Sequence, residues 1–322
     1  MYLDAATILL FAALLDAALG DPVWLYRALP HPVALIGQAI AWADNRFNDP
    51  TALAETRRRR GITVLVVLVA ASLAIGWFIH GVLAGIPHGW ILEVLLMSTL
   101  LAQNSLYRHV LDVARALEQG GIGAARPAVA KIVGRDPAAL DEPGIGRAAL
   151  ESLAENFSDG VTAPLFWGLL LGLPGLLAYK AVNTADSMIG HLTPGHRDFG
   201  WAAARCDDLL NYVPARLAGA ALAAAGLFLN GGGIQQSLAT MRRDAPKHRS
   251  PSAGWPEAAL ASALGVALAG PRVYDGNLVA DGWMNEAGRR QVTAPDIHRG
   301  LRLYLCACAL QIALLTLIAW AF

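Results

Sequence analysis

The sequence predicts an all-α, polytopic integral membrane protein with about 4–6 hydrophobic helices, one of them re-entrant or broken near residues 165–182. Composition is the first observation behind this. The 322 residues are 55% hydrophobic and 16% charged, with a mean hydropathy of +0.44. A typical soluble domain carries about 25% charged residues. The second observation is a set of long apolar runs, two of them free of charge over membrane length or nearly so. The third is a polar, charged block, Gly144 to Leu217, placed in the middle of this apolar chain. Ionisable groups there are costly unless they are paired or face water, so that block is where chemistry is sought.

The elements follow in order. Leu3–Leu19 is apolar but slightly short for a span. It lacks a positive leading region and carries Asp4 and Asp16, so it reads as a retained helix and not a signal peptide. Ile62–Ile79 has no charged residue and at helical rise covers roughly 27 Å, close to a bilayer core. Trp90–Leu106 is a plausible span that carries Glu93 and Gln103-Asn104. Leu165–Val182 is interrupted by Gly172-Leu-Pro-Gly175. Proline and glycine break the helix ladder, and broken helices at membrane depth line protein-enclosed cavities; an ordinary kinked span is the alternative. Leu217–Leu229 and Ala258–Ala269 are Ala-rich and short, Gly270–Pro295 reads as loop, and Leu303–Phe322 is a span. With no internal repeat or low-complexity linker, residues 1–322 read as one membrane-embedded domain.

Basic residues orient it. Arg57-Arg-Arg-Arg60 beside an apolar run is an orientation signal before it is a nucleic-acid patch. The polar segments 20–60, 108–160 and 183–216 are therefore expected on the cytoplasmic side of an inner membrane, with the lipid bilayer as partner. The formal net charge is zero, which speaks against nucleic acid. The cysteines, Cys206, Cys306 and Cys308, are too few for a disulfide framework or a zinc site.

Spacing divides the polar block into ridges. Arg147, Glu151 and Glu155 share a helix face at intervals of four. Arg147–Glu151 suits an ion pair, and Glu151–Glu155 would repel unless a cation sits between them. Asn156 and Asp159 follow. Lys180, Asn183, Thr184 and Ser187 share a second face with Asp186 adjacent, which suits phosphate or carboxylate recognition. Arg205, Asp208, Tyr212 and Arg216 form a third; Asp207-Asp208 suits a metal that bridges phosphates, and the two arginines suit a clamp on them. A solvated charged face, a snorkelling helix end and a structural ion-pair ladder are the plain alternatives for the three. His31, between Pro30 and Pro32, is rigidly presented; taken alone it reads as a structural turn. Gly231-Gly-Gly233 lacks the Lys-Ser/Thr of a phosphate loop, and no nucleophile elbow or His-Glu-x-x-His zinc motif occurs.

In order, Gly20-Asp-Pro22, Pro30-His-Pro-Val33, Ile36-Gly37, Val133-Gly-Arg-Asp136, Arg147-Ala-Ala-Leu-Glu-Ser-Leu-Ala-Glu-Asn-Phe-Ser-Asp-Gly160, Ala163-Pro-Leu-Phe166, Tyr179-Lys-Ala-Val-Asn-Thr184, Asp186-Ser-Met188, Phe199-Gly-Trp201, Ala204-Arg205 with Asp207-Asp208, Asn211 to Leu217, and Ser250-Pro-Ser-Ala-Gly-Trp255 resemble one family, CobD/CbiB, over nearly the whole chain. Ser252 departs from the Asn expected there. The resemblance implies adenosylcobinamide-phosphate synthesis: ATP- and Mg2+-dependent amide formation between a propionate of adenosylcobyric acid and the amine of an aminoalcohol phosphate of the aminopropanol type. It also implies the corrinoid and the aminoalcohol phosphate as partners, and other late cobalamin-assembly membrane enzymes. Amide formation needs an activated carboxylate, phosphate-binding cations and a base. Glu151, Glu155, Asp159 and Asp186 are then expected to be catalytic and Asp207 and Asp208 to hold metal, the six dividing metal binding and base work. His31, Arg147, Lys180, Asn183, Ser187, Arg205, Asn211 and Arg216 are expected to bind substrate or phosphate. A transporter, an AmpE-like membrane sensor and a CDP-alcohol phosphotransferase are the alternatives; the Ala-Arg and the spaced aspartates of the last do not follow Asp159-Gly160.

Overall fold

The computed structural model describes residues 2–22, 26–27, 29–134, 137–229, 233–274, 277–279 and 281–321. Arg135 and Asp136 of the resemblance, and Gly231 and Gly232, lie outside them. The chain is an all-α polytopic membrane fold. Three helical stretches among the described residues are long and apolar enough to cross a membrane: Ala54–Ala84, Glu142–Ile189 and Ala294–Ala321. Ala5–Leu19 and Tyr212–Phe228 are shorter apolar helices. The residues gather into two compact units, Met1–Ala102 with Ala163–Asn211 and Leu315–Phe322, and Gln103–Thr162 with Tyr212–Leu314.

The first unit opens with α1 (Ala5–Leu19), capped by Asp4, whose carboxylate accepts from Thr7 N at 2.9 Å and Thr7 Oγ1 at 2.7 Å. Next come α2 (Pro32–Phe47) and α3 (Ala54–Ala84), the charge-free run inside a longer helix. The arginine cluster at the start of α3 is not uniform. Arg57 is buried; it donates to Asn48 Oδ1 at 3.0 and 3.1 Å and to the carbonyls of Pro194 and Gly195. Arg58, Arg59 and Arg60 stay exposed.

The expected span Trp90–Leu106 is not one helix. α4 (Trp90–Ser98) ends, and α5 (Gln103–Val129) starts afresh in the second unit. The hydroxyls of Ser98 and Thr99 donate to the carbonyls of Leu95 and Leu96 at 2.8 and 2.7 Å, and such side-chain competition loosens a helix end. Glu93 of α4 is buried, bonded by His80 Nδ1 and Tyr2 Oη.

α7 (Ala163–Ile189) is broken where the sequence predicts. Gly172 has φ 64° and ψ −152°, a conformation for which only glycine is suited. Pro174 follows, and α3 packs there so closely that a Cβ on Gly76 would lie 2.5 Å from Pro174 Cα. Small residues at such crossings let membrane helices approach. α8 (Trp201–Leu210) completes the unit. Ile40, Ala185, Ile189, Phe199 and Ala203 form a core between α2, α7 and α8.

The second unit holds α5, α6 (Glu142–Phe157), a π-turn at Ser158–Thr162, α9 (Tyr212–Phe228), α10 (Ile234–Asp244), α11 (Gly254–Leu264) and most of α12 (Ala294–Ala321). Asp141 caps α6 through Gly144 N at 2.8 Å. Phe157 and Tyr304 meet edge to face at 5.5 Å, and Tyr304 Oη donates to the Gln103 carbonyl at 2.8 Å.

Two expectations are corrected here. The Ala-rich stretch 258–269 stops being helix at Leu264, where Gly265 turns left-handed at φ 69°, and ends in strand β1 (Leu268–Ala269). The loop expected at 270–295 carries β2 (Arg272–Tyr274), β3 (Asn277–Val279) and β4 (Trp283–Met284). β1 pairs antiparallel with β4, and β2 with β3. Strands of two or three residues leave no readable alternation; the segment is organised by non-local bonds. Asn285, at φ 55°, donates its side-chain amide to the carbonyls of Ala261 and Val266 at 3.2 and 3.0 Å. Its backbone N–H donates to buried Asp244 at 2.9 Å.

Candidate active site

In the first unit, the second half of α7 carries Lys180, Asn183 and Ser187 one turn apart, with Asp186 beside that face, and α8 packs against it. Asp207 is buried at this contact. Asn183 Nδ2 donates to its Oδ1 at 3.3 Å and Asn211 Nδ2 to its Oδ2 at 2.9 Å. Asn211 is wholly buried and in turn accepts from Tyr179 Oη at 2.9 Å. Burial first, and then the neighbouring Asp186 carboxylate, push Asp207 up to about 6, against the pull of the two amides. Two carboxylates meeting in a half-dry place is an arrangement that a cation would relieve.

Asp208 turns elsewhere. It pairs with Arg205 at 3.4 Å. Burial raises it, and the guanidinium offsets only part. Adjacent helical positions diverge by about 100°, so Asp207 and Asp208 face different surroundings. Ser187 Oγ donates to the Asn183 carbonyl at 2.9 Å and Thr184 Oγ1 to the Lys180 carbonyl at 2.6 Å. His31 caps α2. Its Nδ1 accepts from Val33 N at 3.1 Å, its Nε2 lies 3.4 Å from Asp21, and its ring packs on Tyr26. These contacts account for it structurally.

In the second unit, a cavity of about 340 Å³ is lined by Glu151, Ser152 and Glu155 of α6 and by His248, Arg249, Ser250, Glu257 and Asp281. Glu151 is buried and accepts from Ala269 N at 2.8 Å. Glu155 is exposed toward the cavity. Arg249 makes a two-pronged bond to Asp281 at 2.7 and 2.9 Å, and His248 Nε2 lies 3.5 Å from buried Glu257. Local spacing does not single out these four: His248 and Arg249 close the basic stretch Met241–Arg249, and Glu257 stands two residues beyond Trp255.

Arg147 and the third ridge differ from expectation. Arg147 reaches the Arg290 carbonyl at 2.8 Å and Asp141 at 3.9 Å. The ridge Arg205–Arg216 is not continuous: α8 ends at Leu210 and α9 begins at Tyr212, so Arg205 and Asp208 belong to the first unit and Arg216 to the second. Arg216 stacks on Tyr212 and Trp255, 3.6 and 4.2 Å from the ring centres. Asp159 sits in the π-turn, a distortion frequent at functional sites. The expected site residues thus form two groups. His31, Lys180, Asn183, Asp186, Ser187, Arg205, Asp207, Asp208 and Asn211 lie in the first unit; Arg147, Glu151, Glu155, Asp159 and Arg216 lie in the second.

The pattern of the CobD/Cbib protein family matches residues 9–304. A cobalamin biosynthesis protein CobD of Brucella suis is 50% identical over 313 residues, covering 95% of this chain and 94% of its own. That of a Sinorhizobium species is 46% identical over 97% of each chain. That of Rhodobacter capsulatus is 44% identical over 98% of each. No solved structure matches.

Proposed function

The chain belongs to the CobD/CbiB family, and from that premise we propose that it works in cobalamin biosynthesis as an ATP-dependent acid–amine ligase of the inner membrane. It joins adenosylcobyric acid to an aminoalcohol phosphate and yields adenosylcobinamide phosphate. The observation that carries the reading is buried Asp207, bonded by Asn183 and Asn211, with the Asp186 carboxylate near enough to raise it, two carboxylates suited to a metal-bound triphosphate. Basic residues such as Arg57–Arg60 favour a cytoplasmic side for the polar segments, where ATP is available.

Magnesium takes one or two carboxylates and completes its shell with water and substrate phosphates. Among the described residues no group of three or more His, Cys, Asp or Glu side chains is assembled to hold an ion. The Asp186–Asp207 pair fits magnesium carried in with the nucleotide, which supplies charge neutralisation for the phosphates. Lys180, on the same helix as Asp186, and Arg205, on the same helix as Asp207, are assigned to phosphate oxygens. The propionate must be activated, most simply as an acyl phosphate. The amine, once deprotonated, attacks the acyl carbon and expels phosphate. Glu151 and Glu155 face a cavity of the size and polarity for the ammonium end of the aminoalcohol phosphate, and Glu155 is the one exposed to take its proton.

The test is mass-spectrometric detection of the amide from membranes supplied with adenosylcobyric acid, aminoalcohol phosphate and Mg-ATP. Product that requires all three is expected. Corrinoid flux in vesicles without ATP turnover, and no amide, would replace the ligase with a transporter. A variant Glu155→Ala, Asp159→Ala or Asp208→Ala that kept full coupling would remove that residue from the chemistry.

A further inference from the structure

A second cavity, in the first unit, has no part in this chemistry. It is a groove of about 650 Å³ between α2 and α3, walled by Ile40, Trp42, Phe47, Val67, Leu68 and Ala71. Its walls are apolar except at one end, where Arg59 and Arg60 stand with Thr56 and Thr63. We propose that this groove binds one anionic phospholipid, with an acyl chain along the apolar walls and the headgroup phosphate on Arg59 and Arg60.

Length supports a lipid. Arg60 and Ala71 are three turns apart on α3, roughly 16 Å at helical rise. That is about half of a hydrocarbon core of ~30 Å, the depth of one leaflet. Exposure agrees with it: Trp42 of α2 and Val67 of α3 are 64% and 61% exposed, and α3 is long and apolar enough to span. An apolar wall of that extent on a membrane helix is met by acyl chains, and an aromatic such as Trp42 belongs at the interface.

Charge selects the headgroup. Arg59 pairs with Glu55 at 2.6 Å, both about three-quarters exposed, and exposed pairs of this kind are weak. Arg60 donates to the Phe47 carbonyl at 3.3 Å. Arg46 and Arg58 lie on the same helices, Arg58 over the Trp201 ring at 3.5 Å. Glu55 and Asp49 stand against these four cations, Asp49 within electrostatic reach of Arg60, so the excess charge is positive and a phosphodiester with net negative charge is favoured over a zwitterion. Arg57, although adjacent in sequence, is buried on the protein side and does not contribute.

The full chain is reconstituted in nanodiscs of phosphatidylcholine with a varied fraction of phosphatidylglycerol, either lipid carrying brominated acyl chains. Quenching of Trp42 is read as the difference between the parent and Trp42→Phe. Brominated phosphatidylglycerol is expected to half-saturate the quenching at roughly tenfold lower mole fraction than brominated phosphatidylcholine, as about 1 kcal/mol per arginine allows. The double variant Arg59→Gln/Arg60→Gln should remove that preference. Raising salt on the unaltered protein should weaken it as well, a control that needs no variant to fold. Equal quenching by the two lipids would show ordinary boundary lipid and overturn the proposal, as would a preference that neither salt nor the double variant alters. Protection of Trp42 from both lipids in discs holding two copies would assign the groove to a second copy instead.

Discussion

Asn183 and Asn211 grip one carboxylate from opposite sides. The first donates to Asp207 Oδ1 at 3.3 Å and the second to Oδ2 at 2.9 Å. Both amides are thereby turned toward a buried charge, and Tyr179 holds Asn211 in that rotamer. The arrangement keeps an acid where burial alone would favour an apolar residue.

Asp207 should therefore cost stability when ionised. Its folded value, about 6, lies above the ordinary 3.8. A raised carboxylate contributes stability that is full below pH 3.8 and is lost as pH rises through 6. Relative to Asp207→Asn, the parent should lose on the order of 1–3 kcal/mol of stability between pH 4 and pH 8. Thermal unfolding in detergent at the two pH values checks it. Mg2+ should raise the parent's unfolding temperature at pH 8 and leave the variant's unchanged.

Glu151 and Glu155 should separate structure from chemistry. Glu151→Ala leaves the buried Ala269 N–H without its acceptor, which costs about 1–3 kcal/mol on top of lost activity. Glu155→Ala, at an exposed position, should change stability by less than about 0.5 kcal/mol while amide formation falls at least tenfold. Equal destabilisation of the two variants would contradict the geometry.

Asp244 should make the second unit acid-sensitive. It is fully buried, and Arg243, Lys247 and the N–H of Asn285 bond to it. Burial pushes its value up, but those bonds win and pull it down to about 2. The stability it contributes is present above pH 3.8 and lost as pH falls through 2. Asp244→Asn should cost about 2–4 kcal/mol at pH 7, with the difference shrinking toward pH 2. Urea titrations at both ends of that range give the comparison.

Gly172 and Gly81 offer a paired test of the helix break. An alanine Cβ at Gly172 would meet nothing nearer than Pro174 Cδ at 3.8 Å. Its cost, about 1–3 kcal/mol, would come from the backbone angles alone. At Gly81, inside α3 with open space around it, alanine should be neutral or gain up to about 1 kcal/mol. If both alanines are tolerated alike, the break is not required for the fold.

Local pattern was enough for the membrane class, for the charge-free core of α3 and for the interruption at Gly172. Each depends on residues within a turn or two: apolar length, a four-residue face, a glycine that accepts φ 64°. The ridge Lys180–Ser187 was legible for the same reason. Beyond that range periodicity misleads. It carried one ridge through Asn211, where α8 ends and α9 begins. It joined α4 to α5 across a turn held by two hydroxyls.

Only the tertiary structure decided which charges are used up and which remain available. Arg57 is spent on Asn48 and two carbonyls, whereas Arg58 to Arg60 are not. Glu151 is tied to Ala269, and the cavity beside it is completed by His248, Glu257 and Asp281, far along the chain. Nothing in local spacing encodes such closures. They are set by how α6, α11 and the short strands pack, and by the need of each buried polar group to find a partner.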